Sequence, residues 1–284
     1  MKKLFIVVTL IAASLTPAHA DIAPSIVVID TGTNTSLFTN NIVAEYCVLE
    51  FTLCPNGKST MDGLGAANLP LTTNTAFDHG SQMISIILKV NPNAKVIPIR
   101  IVGMNPNGSP TIYTNQSVKM ALDWVVLNQA KYNIQVVNVS QGAIFVNCKV
   151  PAGTTEDVAT LKAKGVVVVA ATGNASNRTA MDSISCLPDV VSVGATDNPD
   201  PGSSGKAWDP NAKPYIARYS NGNAQTSYYT NARWYVTNKN GTTKFMVGTS
   251  NASAALASLF LTNRNPTTTV ASNEWLTGKY VFIG

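Results

Sequence analysis

The sequence predicts an α/β domain built on a doubly wound, mostly parallel sheet with helices on both faces. Three observations predict it. Short apolar runs recur at residues 26–29, 95–101, 134–139, 166–170 and 190–193, each of a length and composition suited to a buried parallel strand. Helical patterns fill the gaps between them, and strand alternating with helix is the signature of a parallel sheet wound on two sides. No internal repeat or interdomain linker divides the chain.

The elements follow in order. Lys2 and Lys3 precede an apolar stretch over residues 4–15, which ends Pro17-Ala18-His19-Ala20. That pattern is a secretory signal peptide over residues 1–20, with cleavage after Ala20. Its apolar run is shorter than the roughly 20 residues that cross a bilayer, so a membrane anchor is not expected. The remaining 264 of the 284 residues, 21–284, form one catalytic-sized unit, and the net charge of +5 falls to +3 once the two lysines leave. So mild an excess, without a long Lys/Arg run, argues against a nucleic-acid partner.

Between the strands, residues 83–88 are apolar. Residues 116–131 space Val118, Leu122, Val125 and Val126 as a helix does, and residues 154–164 offer a Thr cap with Glu156 and Asp157 in the first turn. Residues 198–241 are rich in Pro, Gly, Asn, Ser and Tyr and read as loops, with a hairpin around Asn240-Gly241. The small-residue run over 252–261 reads as a buried helix.

Four cysteines, Cys47, Cys54, Cys148 and Cys186, stand in a chain bound for an oxidising compartment, where two bridges are expected. Three connectivities are open. Cys47 with Cys54 closes a short loop and Cys148 with Cys186 joins two later ones, and this is the favoured pairing. With no CxxC and one histidine outside the export segment, a structural zinc site is not expected.

That histidine is His79, in Asp78-His79-Gly80-Ser81. Alone it reads first as a surface histidine capping a helix, yet imidazole is the natural general base near neutral pH. Asp30 ends the first apolar run and is followed by Thr31-Gly32. This puts a carboxylate at the C-terminal edge of a parallel sheet, where ligands and catalytic groups of open α/β sheets gather. A turn aspartate is the plain alternative. Gly248-Thr249-Ser250 precedes the small-residue helix, so the Ser250 hydroxyl sits where unpaired N–H groups favour developing negative charge. A simple helix cap would look the same.

Two further segments end predicted strands. Ala170-Ala171-Thr172-Gly173-Asn174 offers a buried amide that could donate to an oxyanion beside the Ser250 N–H, and Asn138-Val139-Ser140-Gln141-Gly142 offers a glycine for close substrate approach. Turn residues are the plain reading of both.

Together these five segments resemble the subtilase family, and they occur in that family's order, Asp then His then Ser, which is the order of subtilisin itself. The resemblance runs from Ile26 to about Leu261. It implies a secreted serine endopeptidase acting on polypeptides. Ser250 would be the nucleophile, His79 the base and Asp30 its orienting partner. Asn174 and Ser250 would form the oxyanion hole, with Ser140, Gly142 and Gly173 along the substrate. The chemistry requires no cofactor and no catalytic metal, and the calcium sites of many relatives have no assignable residues here.

The chain also departs from the family. Asn251 follows Ser250 where Met is usual, Ala254 replaces a Pro, His79 is followed by Gly-Ser-Gln, and an Ala-Pro-Gly segment is missing. Only residues 21–25 separate the expected cleavage point from the first strand, so no folding prodomain fits and a separate folding or regulatory partner is an alternative. These departures suggest as a rival an inactive subtilase-like binding protein or toxin-type subunit. A nucleotide-binding domain is disfavoured, because Gly63-Leu64-Gly65 follows no expected strand and no phosphate-loop motif occurs. Residues 140–143 and 170–174 contain small residues and no acidic one, which suggests a roomy pocket with an apolar or broad preference.

Overall fold

The computed structural model describes residues 22–112, 114–142, 148–197 and 214–283. The expected export segment lies outside these residues, as do Ala143 and much of the loop-rich stretch after Asp197. Strands β1 (Ser25–Asp30), β2 (Tyr46–Val48) and β3 (Thr60–Asp62) precede helix α1 (His79–Val90). Next come β4 (Lys95–Arg100), α2 (Asn115–Asn128), β5 (Ile134–Val139), α3 (Thr154–Ala163), β6 (Val167–Ala171) and β7 (Val190–Asp197). The C-terminal part adds β8 (Tyr215–Ile216), β9 (Tyr228–Asn231), β10 (Arg233–Thr237), β11 (Thr243–Val247), α4 (Thr249–Phe260), β12 (Thr269–Ser272) and β13 (Thr277–Val281).

The main sheet runs β3-β2-β4-β1-β5-β6-β7-β8-β12-β13-β9, and the pairs from β2 to β7 are parallel. Alternation along β1 shows why helices cover both faces. Ile26 and Val28 pack with α1 and α4 residues such as Met83, Ile87, Leu256 and Phe260. Val27 and Ile29 pack with Val118, Leu122 and Val125 of α2 and with Val158 and Leu161 of α3. Side chains of a strand point alternately to opposite faces, so an unbroken apolar run needs a core on each side. Each of these buried side chains contributes about 1.5–3 kcal/mol.

Chain direction then brings the C-terminal ends of β1, β5 and β6 to one edge, and α4 packs against β5, β6 and β7 with Ala252, Ala254, Ala255 and Ala257 fully buried. Small residues there let a helix backbone approach the sheet closely. Ser258 donates to the Ile87 carbonyl at 2.8 Å, fastening α4 to α1.

Several local expectations needed correction. The Thr154 hydroxyl does not cap α3; Gly153 holds the cap position, and Thr154 instead donates back to the Pro151 carbonyl at 2.8 Å. Glu156 and Asp157 do occupy the first turn. Residues 198–241 are not all loop, since β8, β9 and β10 lie within them, and the expected hairpin is β10–β11. Gly63-Leu64-Gly65 does follow a strand, but β3 is a three-residue antiparallel edge strand, and the chain next forms turns rather than a phosphate-binding helix. Such short segments lack the apolar periodicity that would announce them.

Both disulfides adopt the favoured pairing, Cys47–Cys54 and Cys148–Cys186. Their sequence separations are 7 and 38. Closing the longer loop removes more entropy from the unfolded chain. Serine replacement of Cys148 and Cys186 should therefore lower the unfolding free energy by about 4 kcal/mol, against about 2 kcal/mol for the shorter bridge. Urea denaturation of the two double variants measures the difference; equal losses would contradict the loop-length argument.

Candidate active site

The segment after β1 and the start of α1 interlock. The Thr31 hydroxyl accepts the Gly80 N–H at 2.9 Å, and Thr33 and Ser81 hydroxyls lie 2.8 Å apart. Gly80 must be glycine, because a Cβ there would come within 2.0 Å of the Gly32 carbonyl oxygen. This contact sets the first turn of α1 against the end of β1 and places His79 over Asp30.

His79 Nδ1 lies 2.8 and 2.9 Å from the two Asp30 carboxylate oxygens. Asp30 is 1% exposed, and its Oδ1 also accepts the Thr31 N–H at 2.7 Å and the Gln141 side-chain amide at 3.0 Å. An acceptor-only carboxylate at Nδ1 puts the ring proton there and leaves Nε2 as the basic nitrogen. Burial disfavours the imidazolium, but the Asp30 charge and hydrogen bond outweigh it, so the His79 pKa is raised above the ordinary value. Gln141 lies within the segment of residues 138–142 but carries no mark of its own. Nothing in one sequence marks a Gln that reaches a carboxylate 111 positions away.

Ser250 opens the first turn of α4, after Gly248 at the cap and Thr249. Its hydroxyl donates to the Ser140 carbonyl at 3.1 Å, and the Ser140 hydroxyl donates to the Ser250 carbonyl at 3.2 Å. Behind them the buried Asn138 amide donates to Ser140 Oγ at 2.8 Å and accepts from Ser253 Oγ at 2.7 Å. This network locks the end of β5 to α4, so the spacing of Ser140 and Ser250 is held on both sides.

Thr249 organises the neighbouring segment. Its hydroxyl accepts the Gly173 N–H at 3.1 Å and donates to Asn174 Oδ1 at 3.1 Å, while its own N–H donates to the same oxygen at 2.9 Å. With Oδ1 engaged by two donors, the Asn174 NH2 is the end left for the cleft. Asn174 is exposed rather than buried as expected, because it sits on the rim. Gly173 has φ +97°, and a Cβ would meet Asn221 Nδ2 and Asp182 Oδ1 at 2.4 Å each.

His79, Ser140, Gly142, Gly173, Asn174 and Ser250 line one cleft of about 720 Å³. Each residue expected in the site is thus brought to it, Asp30 as the buried partner of His79. The pocket expectation needs correction. An acidic side chain does line the cleft, because Asp182 enters from the loop after β6, outside residues 140–143 and 170–174. Among the described residues no group of three His, Cys, Asp or Glu could hold a metal ion.

The sequence matches the model of the subtilase family over residues 21–275. The chain belongs to the subtilase family. Members of this family are serine peptidases. Residues are 30% identical to subtilisin-like protease 3 of Pseudogymnoascus destructans over 160 positions, 54% of this chain and 36% of that protein. The chain thus spans about a third of the length of the curated relative it matches. Among solved structures it is similar to the S41 psychrophilic protease, with TM-score 0.64 and 19% identity over 84% of this chain and 76% of the other. Sphericase is also similar, with TM-score 0.61 and 18% identity over 86% of this chain and 79% of the other. These structures share the subtilase fold.

The departures from the usual subtilase flanks are accommodated by contacts away from the cleft. Asn251 donates to the Ala232 and Met246 carbonyls at 2.9 and 3.0 Å, tying α4 to the β10–β11 hairpin. Gln82 donates to Asn238 of the same hairpin at 2.8 Å, and Lys239 pairs with Asp78 at 3.0 Å. None removes a polar group from the site.

Proposed function

We propose that this subtilase is an exported serine endopeptidase that hydrolyses peptide bonds through an acyl-enzyme intermediate, with Asp30, His79 and Ser250 as its triad. The observation that carries the reading is His79, held by the buried Asp30, lining one cleft with Ser250 and Asn174. Export rests on the N-terminal pattern. It accords with the two disulfides, and no described helix is long and apolar enough to cross a membrane.

In the proposed cycle Ser250 Oγ rotates from the Ser140 carbonyl towards His79 Nε2, which takes its proton as the oxygen attacks the scissile carbonyl. Asp30 holds the ring in place and stabilises the imidazolium. The carbonyl oxygen, now an oxyanion, accepts from Asn174 Nδ2 and from the Ser250 N–H, which belongs to the unpaired first turn of α4. His79 then protonates the leaving amine. Water, activated by the same imidazole, releases the acyl group. Backbone groups of Ser140 and Gly142 align the peptide as an added strand would.

Fluorophosphonate labelling of the purified protein, together with hydrolysis of a denatured protein substrate, tests this reading. A folded chain that does neither would overturn it. A graded check concerns the oxyanion: Asn174→Leu is expected to lower kcat by about 10² to 10³ with KM little changed, the scale seen for the side-chain donor in subtilisin. Steady-state kinetics measures the split, and a loss confined to KM would assign Asn174 to substrate binding instead.

A further inference from the structure

We propose that Asp182 forms the floor of the primary specificity pocket and selects substrates with Lys or Arg at the residue that donates the scissile carbonyl. The inference rests on Ser250 being the nucleophile, since that fixes where the substrate carbonyl lies.

The geometry comes from two backbone segments. A peptide whose carbonyl carbon meets Ser250 Oγ, with its oxygen at Asn174, carries the adjacent side chain past two segments that line the cleft, residues 140–142 and Ala171 with Gly173. Both segments carry a glycine there, and both glycines face the same carboxylate. A Cβ on Gly142 would lie 2.6 Å from Asp182 Oδ2, and one on Gly173 would lie 2.4 Å from Asp182 Oδ1. The space left open by the missing side chains is therefore occupied by a carboxylate.

Asp182 is also held in place. Its N–H donates to the Thr172 carbonyl at 3.0 Å, and Asn221 Nδ2 approaches Oδ1 at 3.4 Å. The residue is 7% exposed while still lining the cleft. Burial pushes its pKa up to about 6, which leaves it ionised above neutrality in a poorly hydrated place. A carboxylate so placed is stabilised by an incoming cation, and a long, flexible Lys or Arg side chain can carry one to the pocket floor. An apolar side chain would desolvate the charge without compensating it, so the preference has both an attractive and a repulsive component.

The test uses the purified full chain at pH 8 and peptides that differ only at the position before the scissile bond, carrying Arg, Lys, Leu or Glu. The expected ratio of kcat/KM for Arg over Leu is about 100 in the wild type, falling to near unity in Asp182→Asn, on the scale lost when one partner of a buried charge pair is neutralised. The ratio is internally controlled for the amount of folded enzyme. If Asp182→Asn does not accumulate, the wild-type profile alone decides. A wild type that labels with fluorophosphonate yet cleaves Leu as fast as Arg overturns this inference alone. A folded wild type that neither labels nor cleaves overturns the nucleophile assignment with it.

Discussion

Ser250→Ala is expected to abolish fluorophosphonate labelling and to lower kcat for peptide hydrolysis by about 10⁶-fold, the scale reported for the same single deletion in subtilisin itself. The size follows from the loss of the acyl-enzyme route, because water must then attack without a positioned nucleophile. The oxyanion donors and the cleft persist, so a residual acceleration of about 10³ to 10⁴ over water remains. Unfolding does not account for the loss. The substitution removes one hydrogen bond, from Ser250 Oγ to the Ser140 carbonyl, with a cost of about 1 kcal/mol. The reciprocal bond from Ser140 Oγ to the Ser250 carbonyl and the Asn138–Ser253 contact are untouched. Thermal unfolding beside the kinetics separates the two effects. Persistent labelling in the variant would move the nucleophile elsewhere.

Asp30→Asn is expected to lower kcat by about 10⁴-fold, as the equivalent change does in a chymotrypsin-type triad. An asparagine amide presents a donor where His79 Nδ1–H needs an acceptor, so the ring flips its tautomer and Nε2 ceases to be the base. The pH profile supplies a second signature. Activity requires neutral His79, so kcat/KM falls as pH drops through its pKa, which burial works to lower but Asp30 holds above the ordinary imidazole value of about 6.5. Removing the Asp30 charge leaves burial and the Lys244 charge, both of which act downward. The acid limb of residual activity should therefore move to lower pH in the variant. An unmoved limb would mean that Asp30 does not act through His79.

Much of the fold is legible because parallel strands buried on both faces must be continuously apolar, and five of the six strands from β2 to β7 carry that mark. The exception is β2, whose three residues Tyr46–Val48 are too short to register. The same limit hides β3, β8 and β12, which owe their pairing to neighbours rather than to their own pattern. Helix α4 is legible as a run of small residues, although what makes them small is the sheet that it packs against.

The candidate site is legible at Asp30, His79 and Ser250 because each stands in a short motif with a local reason. Thr31 and Gly80 bond to one another, and Thr249 bonds to Gly173 and Asn174, so each motif is half of a contact. Gln141 and Asp182 carry no such mark. Their roles depend on which backbone segments lie opposite.

The alternation of strand and helix, the two-faced core, the order of the five motif segments and the residue types they offer are all written in the chain. Those properties reside in local spacing, where the periods of strand and helix and the stereochemistry of Gly leave a trace. Which carboxylates meet which partners is set by the folded chain: Asp30 beneath His79, with the Gln141 amide on the same oxygen, and Asp182 between Gly142 and Gly173. The cause is distance. These pairs are brought together by sheet order and helix crossing, and the energy that holds them is electrostatic and short-ranged. No spacing along the chain records it.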